Sequence, residues 1–246
     1  MKIYAELNRT KLFIITCIAA LLCMSALAAP AAATTWYVDD DGGANFTDIQ
    51  SAVNSASSGD TIYVYTGTYL GFTANTPYLS IIGEGADLVT VAPNSLGQYN
   101  EIRLPDGNAG DNATGTVLEG MNISTVNLYP GKYGPASDLC IRSCVIGENT
   151  IGDYGISQKN MTFDNNLILS PKGNYGINLQ SDNSKFVNNI IRDSQATYGP
   201  IAIWDVTNGL FENNTIIDSI GAAAFIYTSN NCTFSKNNFS YNPVGI

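Results

Sequence analysis

Four hexapeptides in the last third of the chain share one pattern: FDNNLI at 163–168, FVNNII at 186–191, FENNTI at 211–216 and FSKNNF at 234–239. Each contains a phenylalanine, an asparagine three positions later, and an apolar residue two positions after that. The four phenylalanines are separated by 23, 25 and 23 residues. A repeat of this length is typical of a solenoid, in which each coil buries its apolar face by stacking on its neighbours.

The spacing inside the hexapeptide indicates strands rather than helices. Side chains two positions apart lie on the same face of a strand, and the apolar residue follows the asparagine by two. The segments are short, β-branched and aromatic, with polar clusters between them. We therefore predict an all-β fold, a single-stranded parallel β-helix, with a structural ladder of corner asparagines whose amides bond from coil to coil: Asn166, Asn189, Asn214 and Asn237.

Weaker copies of the pattern extend the same register towards the N-terminus. They are Ile141/Cys144/Ile146 and Leu118/Met121/Ile123, in which the asparagine is replaced by an apolar residue. Strands of less regular coils are predicted at 61–65, 78–82, 88–91 and 101–104, so the coils occupy 61–246. Residues 244–246 resemble the start of another coil. We expect the chain to end within a coil, whose open edge favours end-to-end self-association or continuation.

Residues 1–33 have the features of a secretory signal peptide. Lys2, Arg9 and Lys11 precede an apolar run, and small residues follow it. An uncleaved anchor is the alternative. Cleavage would leave 8 Lys and Arg against 20 Asp and Glu, a net charge of −12. We therefore expect a secreted or cell-surface protein without a membrane segment after cleavage, and nucleic acid and anionic membranes are poor partners.

Residues 34–60 are predicted to form an N-terminal strand and a short capping helix. The strand is expected at 36–38, and a capping box at 47–50 begins the helix. Ile49, Ala52, Val53 and Ala56 recur at helical spacing. This apolar face would cover the open first coil, whose backbone groups are otherwise unpaired.

The three cysteines beyond the signal peptide are interpreted as packing residues. Cys232 lies four coils from Cys140, roughly 19 Å away, which is beyond the reach of a disulfide. Cys140 and Cys144 could pair only if a corner folds them together. We therefore expect small apolar or turn-packing side chains here, although the predicted compartment is oxidising.

The N-terminal segment resembles a known superfamily. Trp36, the helix, Gly59-Asp60-Thr61-Ile62-Tyr63-Val64 and the stretch from 79 to 85 are similar to the opening of right-handed parallel β-helix proteins of the pectin-lyase-like superfamily. The likeness is closest to archaeal and bacterial cell-surface β-helix proteins, and extends to periplasmic accessory proteins of copper-enzyme maturation. It implies the fold but leaves function open, because this superfamily includes lyases, hydrolases, esterases, epimerases, adhesins and spacers.

The resemblance also suggests where catalysis would be sought. The chain has no histidine, so it lacks the glycine-histidine-glycine element of β-helix polygalacturonases. Lyases of this fold hold calcium with acidic clusters and use Arg or Lys as base, and pectin esterases use two aspartates with an arginine. The candidates here are Arg192, Asp193 and Asp218, the two aspartates being one coil apart. The competing interpretation is that all three are ordinary surface residues.

An acidic segment near the N-terminus is the candidate metal site. Asp39, Asp41 and Asp48 offer oxygen ligands at spacings loosely similar to a calcium loop. No glutamate follows at the expected distance, so a polar turn is the alternative interpretation. Calcium is the one cofactor that this segment allows. Copper is disfavoured because soft ligands are scarce.

Several aromatic residues are candidates for contact with sugars. Tyr154, Tyr175 and Tyr198 each precede a glycine but drift out of the repeat register, so we assign them to variable connections. With Trp204 and Tyr227 they could stack on glycan rings along one face, although strand aromatics also pack internally.

Seven Asn-x-Ser/Thr sequons lie beyond the signal peptide and are candidate glycosylation sites. None uses a ladder asparagine, so we expect them to point outwards. The seven are Asn45, Asn112, Asn122, Asn160, Asn213, Asn231 and Asn238.

Together these features predict a secreted or surface-displayed β-helix module with a structural, adhesive or glycan-contacting role and no evident catalytic constellation. Its expected partner is a cell-surface or extracellular polysaccharide. The alternative is a polysaccharide lyase or another carbohydrate-active enzyme that acts on acidic glycans.

Overall fold

Three parallel β-sheets and one helix make up the described part of the chain. A computed structural model describes residues 32–92, 102–104, 112–123, 126–127, 137–147, 151–152 and 159–244. The predicted signal peptide lies outside the described residues except for its last two positions. Tyr154 and the last two residues of the chain also lie outside them.

The strands are numbered in chain order, and each sheet takes one strand from successive coils. Sheet A has nine strands: β1 (Thr35–Val38), β2 (Thr61–Val64), β4 (Ser80–Gly83), β7 (Val117–Glu119), β10 (Cys140–Arg142), β13 (Thr162–Asp164), β16 (Lys185–Val187), β19 (Leu210–Glu212) and β22 (Thr233–Ser235). Sheet B has eight: β3 (Gly67–Leu70), β5 (Val89–Ala92), β8 (Asn122–Ile123), β11 (Val145–Ile146), β14 (Leu167–Leu169), β17 (Ile190–Arg192), β20 (Thr215–Ile217) and β23 (Asn238–Ser240). Sheet C has six: β6 (Ile102–Arg103), β9 (Val126–Asn127), β12 (Ile151–Gly152), β15 (Tyr175–Leu179), β18 (Gly199–Trp204) and β21 (Ala224–Tyr227). These counts refer to the described residues.

The repeat register predicted from the hexapeptides is confirmed by the strand pairing. The aromatic position forms one column across sheet A: Leu118, Ile141, Phe163, Phe186, Phe211 and Phe234. The apolar position forms a second column across sheet B: Ile123, Ile146, Ile168, Ile191, Ile216 and Phe239. Both columns face the interior, where most of their members are fully buried. The core is therefore a stack of layers, one from each coil.

The corner between sheets A and B is made by the residue before each ladder asparagine. This residue has a positive φ in six successive coils: Gly120, Ser143, Asn165, Asn188, Asn213 and Lys236. Glycine and asparagine adopt this left-handed conformation more readily than other residues. The prediction that the ladder asparagines themselves turn the corner is thus corrected. They follow the turn, which directs their side chains inwards.

The inward-facing asparagines form a continuous hydrogen-bonded ladder. In Asn189, Nδ2 donates to Phe163 O at 3.0 Å, and Oδ1 accepts from Asn166 N at 3.0 Å. The same two bonds recur at Asn166, Asn214 and Asn237. Each amide therefore satisfies backbone groups of the preceding coil that are buried away from water.

The predicted N-terminal helix is present as α1 (Ile49–Ser55). Its N-cap is Asp48, which accepts from Ser51 N at 2.8 Å, so the capping pair differs from the predicted box. Gln50 instead exchanges two hydrogen bonds with the backbone of Thr73. Ile49, Ala52 and Val53 are buried, so the helix packs its apolar face on the core at the first coils.

Sheet C corrects the assignment of Tyr175 and Tyr198 to variable connections. Tyr175 begins β15, and Tyr198 immediately precedes β18. Tyr175 pairs with Gly199 rather than with Tyr198. Tyr198 directly precedes Gly199 in the chain. The two tyrosines therefore lie close together on adjacent coils, although they are not paired residues.

Candidate functional site

Five aromatic side chains lie together over the outer side of sheet C. Tyr175 contacts Tyr198, Trp204 and Phe225, with ring centroids 5.4, 5.8 and 5.7 Å apart. Trp204 also contacts Phe225 at 5.4 Å and Tyr227 at 5.0 Å. We call these five residues the aromatic face. Tyr198 is 55% exposed and Tyr227 is 52% exposed, so the outer rings present their surfaces to solvent.

Strand register explains how the aromatic face is assembled. Trp204 of β18 pairs with Tyr227 of β21. Ala202 of β18 lies between Phe225 of β21 and Asn178 of β15 and pairs with both. Alternate residues of these strands point to the core, so the paired set points outwards. Four members of this group were candidates from their sequence pattern, whereas Phe225 was not, because its strand lies between the predicted repeats. The short continuous apolar run at 222–227 is the signal that could have revealed it.

Two buried polar atoms on the outer side of sheet C have no hydrogen-bond partner within the described residues. They are Nε1 of Trp204 and Oδ1 of Asn178, both buried. Asn178 is only 7% exposed. A buried, unpaired polar group costs about 1–3 kcal/mol, and native structures contain few of them. One donor and one acceptor are therefore held unsatisfied at the same surface.

The structure places the three catalytic candidates at another corner. Arg192 and Asp193 form an ion pair at 3.8 Å, and about half of each side chain is exposed. Asp193 and Asp218 follow paired residues of β17 and β20, so they occupy equivalent positions in adjacent coils. Both have a positive φ, as do Ser170 and Tyr241 in the flanking coils. Aspartate tolerates this backbone conformation, which gives the two residues a role in the turn.

The acidic segment near the N-terminus uses its carboxylates for local structure. Asp39 Oδ1 accepts from Asp41 N at 3.1 Å, and Asp48 caps α1. Asp40 Oδ2 accepts from Thr68 N at 2.9 Å. Among the described residues, no group of three or more acidic or cysteine side chains converges in a way that could hold a metal ion. The hydrogen bonds fit the polar-turn interpretation of this segment.

A charged groove crosses the outer side of sheet A. It is a depression of about 670 Å³ whose lining includes Asp164, Lys185, Glu212 and Lys236. Lys236 pairs with Glu212 at 2.8 Å, and Asp164 accepts from Asn188 Nδ2 at 2.8 Å. Opposite charges therefore neutralise one another along the groove, and the acidic groups already have partners.

Comparison with known proteins identifies the family. A family model described as "Right handed beta helix region" matches residues 108–246, more than half of the chain. This chain belongs to the right-handed β-helix family. No curated protein matches it.

Solved structures of pectin methylesterases are similar to this right-handed β-helix at low sequence identity, and only the carrot enzyme among the three named here has a TM-score above 0.5. Pectin methylesterase from carrot is 12% identical, with 86% of this chain and 85% of that chain covered and a TM-score of 0.53. Pectin methylesterase PemA from Erwinia chrysanthemi is 12% identical, with 87% and 90% covered and a TM-score of 0.48. Pectin methylesterase from Aspergillus niger is 15% identical, with 88% and 87% covered and a TM-score of 0.44. At these identities the likeness concerns the fold. No helix in the described part of the chain is long and apolar enough to cross a membrane.

The sequon asparagines of this right-handed β-helix fall into two structural groups. Asn160, Asn213 and Asn231 have a positive φ and therefore occupy left-handed corners next to the repeat strands. Asn45 and Asn238 are exposed, whereas Asn112 and Asn122 are half-buried. The structure therefore separates three asparagines that turn the chain from four that do not.

Proposed function

We propose that this chain is a secreted or surface-displayed β-helix module that contacts a neutral polysaccharide through the aromatic face. The observation that carries the proposal is the combination of exposed rings with the unpaired Trp204 Nε1 and Asn178 Oδ1 on the same side of sheet C. Tyrosine and tryptophan have an apolar body and a polar tip. A pyranose ring is similarly amphipathic, with C–H groups on its faces and hydroxyl groups at its edge.

The unpaired atoms support a ligand rich in hydroxyl groups. A hydroxyl group both donates and accepts hydrogen bonds, so it can satisfy an indole N–H or an amide oxygen. Both atoms are buried, so a ring of the aromatic face must move aside for contact. Because Tyr198 and Tyr227 are half exposed, their rotation is the smallest change that would uncover the surface.

Charge supports a neutral rather than an acidic polysaccharide. The chain has 11 Lys and Arg against 21 Asp and Glu, and this excess repels polyanions. Asp205 directly follows Trp204 and is exposed, where its carboxylate accepts from Thr228 Oγ1. An acidic group at the edge of the aromatic face disfavours a uronate there.

A binding screen with matched variants tests the proposal. Neutral polysaccharides and polyuronates are presented to the chain in affinity electrophoresis, with and without calcium, and unsaturated products are monitored. We expect retention by a neutral polysaccharide, weakened at least about tenfold in Trp204→Ala and Tyr198→Ala because stacking surface is lost. Tyr241→Asn, which removes an exposed tyrosine elsewhere and suits a left-handed corner, should bind normally.

Two outcomes contradict the proposal. One is unchanged retention in both aromatic-face variants, which would place binding elsewhere. The other is cleavage of an acidic polysaccharide that disappears in Arg192→Ala, which would favour the alternative of a carbohydrate-active enzyme acting at the corner with Asp193 and Asp218.

A further inference from the structure

The side-chain oxygen of Asn45 ties its loop to strand β1. Its Oδ1 accepts from Tyr37 N at 2.9 Å, and the next residue, Phe46, donates from its own N to Tyr37 O at 3.1 Å. The Phe46 ring packs against Trp36, with centroids 5.6 Å apart. The loop is thereby fixed on β1, while Asn45 itself remains exposed.

The amide nitrogen of Asn45 has no hydrogen-bond acceptor among the described residues. This Nδ2 is the atom that carries the sugar in an N-linked glycan. Because Oδ1 is engaged by Tyr37 N, the orientation of the amide group is set. The third residue of the sequon, Thr47, is also exposed.

A cleft of about 520 Å³ lies beside Asn45 and offers space for a saccharide. Its lining includes Tyr37 and Tyr65, whose rings are stacked with centroids 6.0 Å apart. Tyr37 is 41% exposed. Gly42 and Gly43 form another wall, and a Cβ atom at either position would meet nothing within 4 Å. We call this depression the tyrosine cleft.

The three corner sequons use the same nitrogen for structure. Nδ2 of Asn160 donates to Asp138 at 2.7 Å, that of Asn213 to Asn188 at 2.9 Å, and that of Asn231 to Asn208 at 2.6 Å. These side chains are stacked on neighbouring coils about 4.8 Å apart. A sugar on any of these nitrogens would replace one of its two hydrogens and would crowd the neighbouring coil to which the nitrogen bonds.

We propose that Asn45 is an N-glycosylation site and that the first sugars of its glycan pack on Tyr37 and Tyr65 in the tyrosine cleft. The corner sequons at Asn160, Asn213 and Asn231 serve as turn residues and stay unmodified. Asn238 shares the exposure of Asn45 but not the cleft. This proposal is independent of ligand binding at the aromatic face.

Glycopeptide mass spectrometry of the protein purified from its native host is the test. We expect a glycan on the Asn45 peptide, at higher occupancy than on any corner sequon. Thr47→Ala removes the sequon while keeping Asn45 and its bond to Tyr37, and it should lower the intact mass by one whole glycan. The matched control is Thr233→Ala, an exposed threonine in the Asn231 sequon, which should change the mass only by the substitution.

Packing on the tyrosines has a separate readout. Thr47→Ala should lower the melting temperature of protein from the native host, but not of protein from a host that lacks N-glycosylation. Recovery of the Asn45 peptide entirely without sugar overturns the proposal. Equal or higher occupancy at a corner sequon overturns it as well. If wild type and Thr47→Ala from the native host melt at the same temperature, the proposed packing of the glycan on Tyr37 and Tyr65 is wrong.

Discussion

The coils at 159–244 and those at 32–92 solve the same structural problem in different ways. In the C-terminal coils, each buried corner is satisfied by the same residue, as when Asn189 bonds to Phe163 O and Asn166 N. In the N-terminal coils the equivalent bonds are made by single side chains that each occur once. Asp60, for example, accepts from Thr34 N, Trp36 Nε1 and Ser57 N.

This difference predicts how far the destabilising effect of one substitution extends through the neighbouring coils. A ladder residue belongs to two interfaces, because its side chain bonds to the coil before it and its N–H groups donate to the asparagine of the coil after it, as Asn189 N and Nδ2 do to Asn214 Oδ1. Loss of one member therefore weakens a continuous array. We call Asp60, with its three side-chain hydrogen bonds, the Asp60 clamp. It connects only β1, the end of α1 and the start of β2. Three substitutions can break or sharpen the contrast.

The largest effect is expected for Asn189→Ala, in the centre of the ladder. It leaves Phe163 O without its amide donor and Asn166 N without its acceptor, both in the buried interior. Each unsatisfied group costs about 1–3 kcal/mol, so we expect the free energy of unfolding to fall by about 3–5 kcal/mol. Urea denaturation followed by circular dichroism measures the change.

The neighbouring position supplies the control for this experiment. Asn188 is exposed, has a positive φ, and bonds to Asp164 and Asn213 at the surface. Asn188→Gly keeps the left-handed turn available, so we expect a loss of less than about 1 kcal/mol. Equal losses for the two variants would mean that the inner ladder is not the dominant support of these coils.

A smaller effect is expected for Asp60→Asn in the N-terminal coils. Asp60 is 4% exposed. An asparagine in its place would turn an NH2 group towards N–H donors that now form hydrogen bonds with the carboxylate. We expect a loss of about 2 kcal/mol, because hydrogen bonds to charged groups are worth about 1.5–3 kcal/mol. Asp48→Asn is the control, since asparagine is an equally good N-cap, and it should be nearly neutral.

The same substitution predicts a dependence on pH. Burial alone would raise the pKa of Asp60, but the amides of Thr34 and Ser57 and the indole of Trp36 hold it below its usual value. The stabilisation is therefore complete above the unfolded pKa of about 3.9 and is lost as the pH falls through the lower folded pKa. The stability difference between wild type and Asp60→Asn should shrink below about pH 4. A difference that stays constant from pH 6 to pH 2 contradicts the role given to the carboxylate.

The contrast between the two regions also decided what the sequence could predict. The register of the C-terminal coils was readable because Phe163 and Asn166 recur with the same spacing, so their column pairing followed directly. The Asp60 clamp occurs once, and nothing in the sequence connects it to Thr34 and Trp36. A single contact across 26 residues needs the fold before it can be recognised.

The candidate site was less predictable than the fold for a related reason. Tyr175 and Tyr198 lie at different distances from their repeats, and only the pairing of β15 with β18 and β18 with β21 brings them beside Trp204 and Phe225. The corner aspartates illustrate the opposite case. Their regular spacing suggested shared chemistry, and the positive φ at Asp193 and Asp218 gives the same spacing a second explanation in backbone geometry.

The boundary between the two regions lies at Cys144, and it gives the smallest expected effect. Cys144 N donates to Asn166 Oδ1 at 3.0 Å, and its sulfur lies 3.9 Å from Leu118 O, where a ladder amide would donate. Cys144→Asn should extend the ladder by one coil and change the free energy of unfolding by less than about 1 kcal/mol, whereas Cys144→Ala, which removes the polar group, should gain nothing.

Thiol labelling tests the same position without a substitution. Burial raises the pKa of Cys144 to about 11, so its thiolate is scarce at pH 8 and native labelling should be slow compared with labelling in urea. The raised pKa also makes the free energy of unfolding depend on pH, because the unfolded thiol ionises near pH 8.5 and the folded thiol only near its higher pKa. The free energy of unfolding should therefore fall as the pH rises from about 8.5 to about 11. Cys144→Asn should abolish this part of the pH dependence. Rapid labelling of Cys144 in the native state would show that the ladder boundary opens locally, and the two regions would then be separate cooperative units rather than one continuous stack.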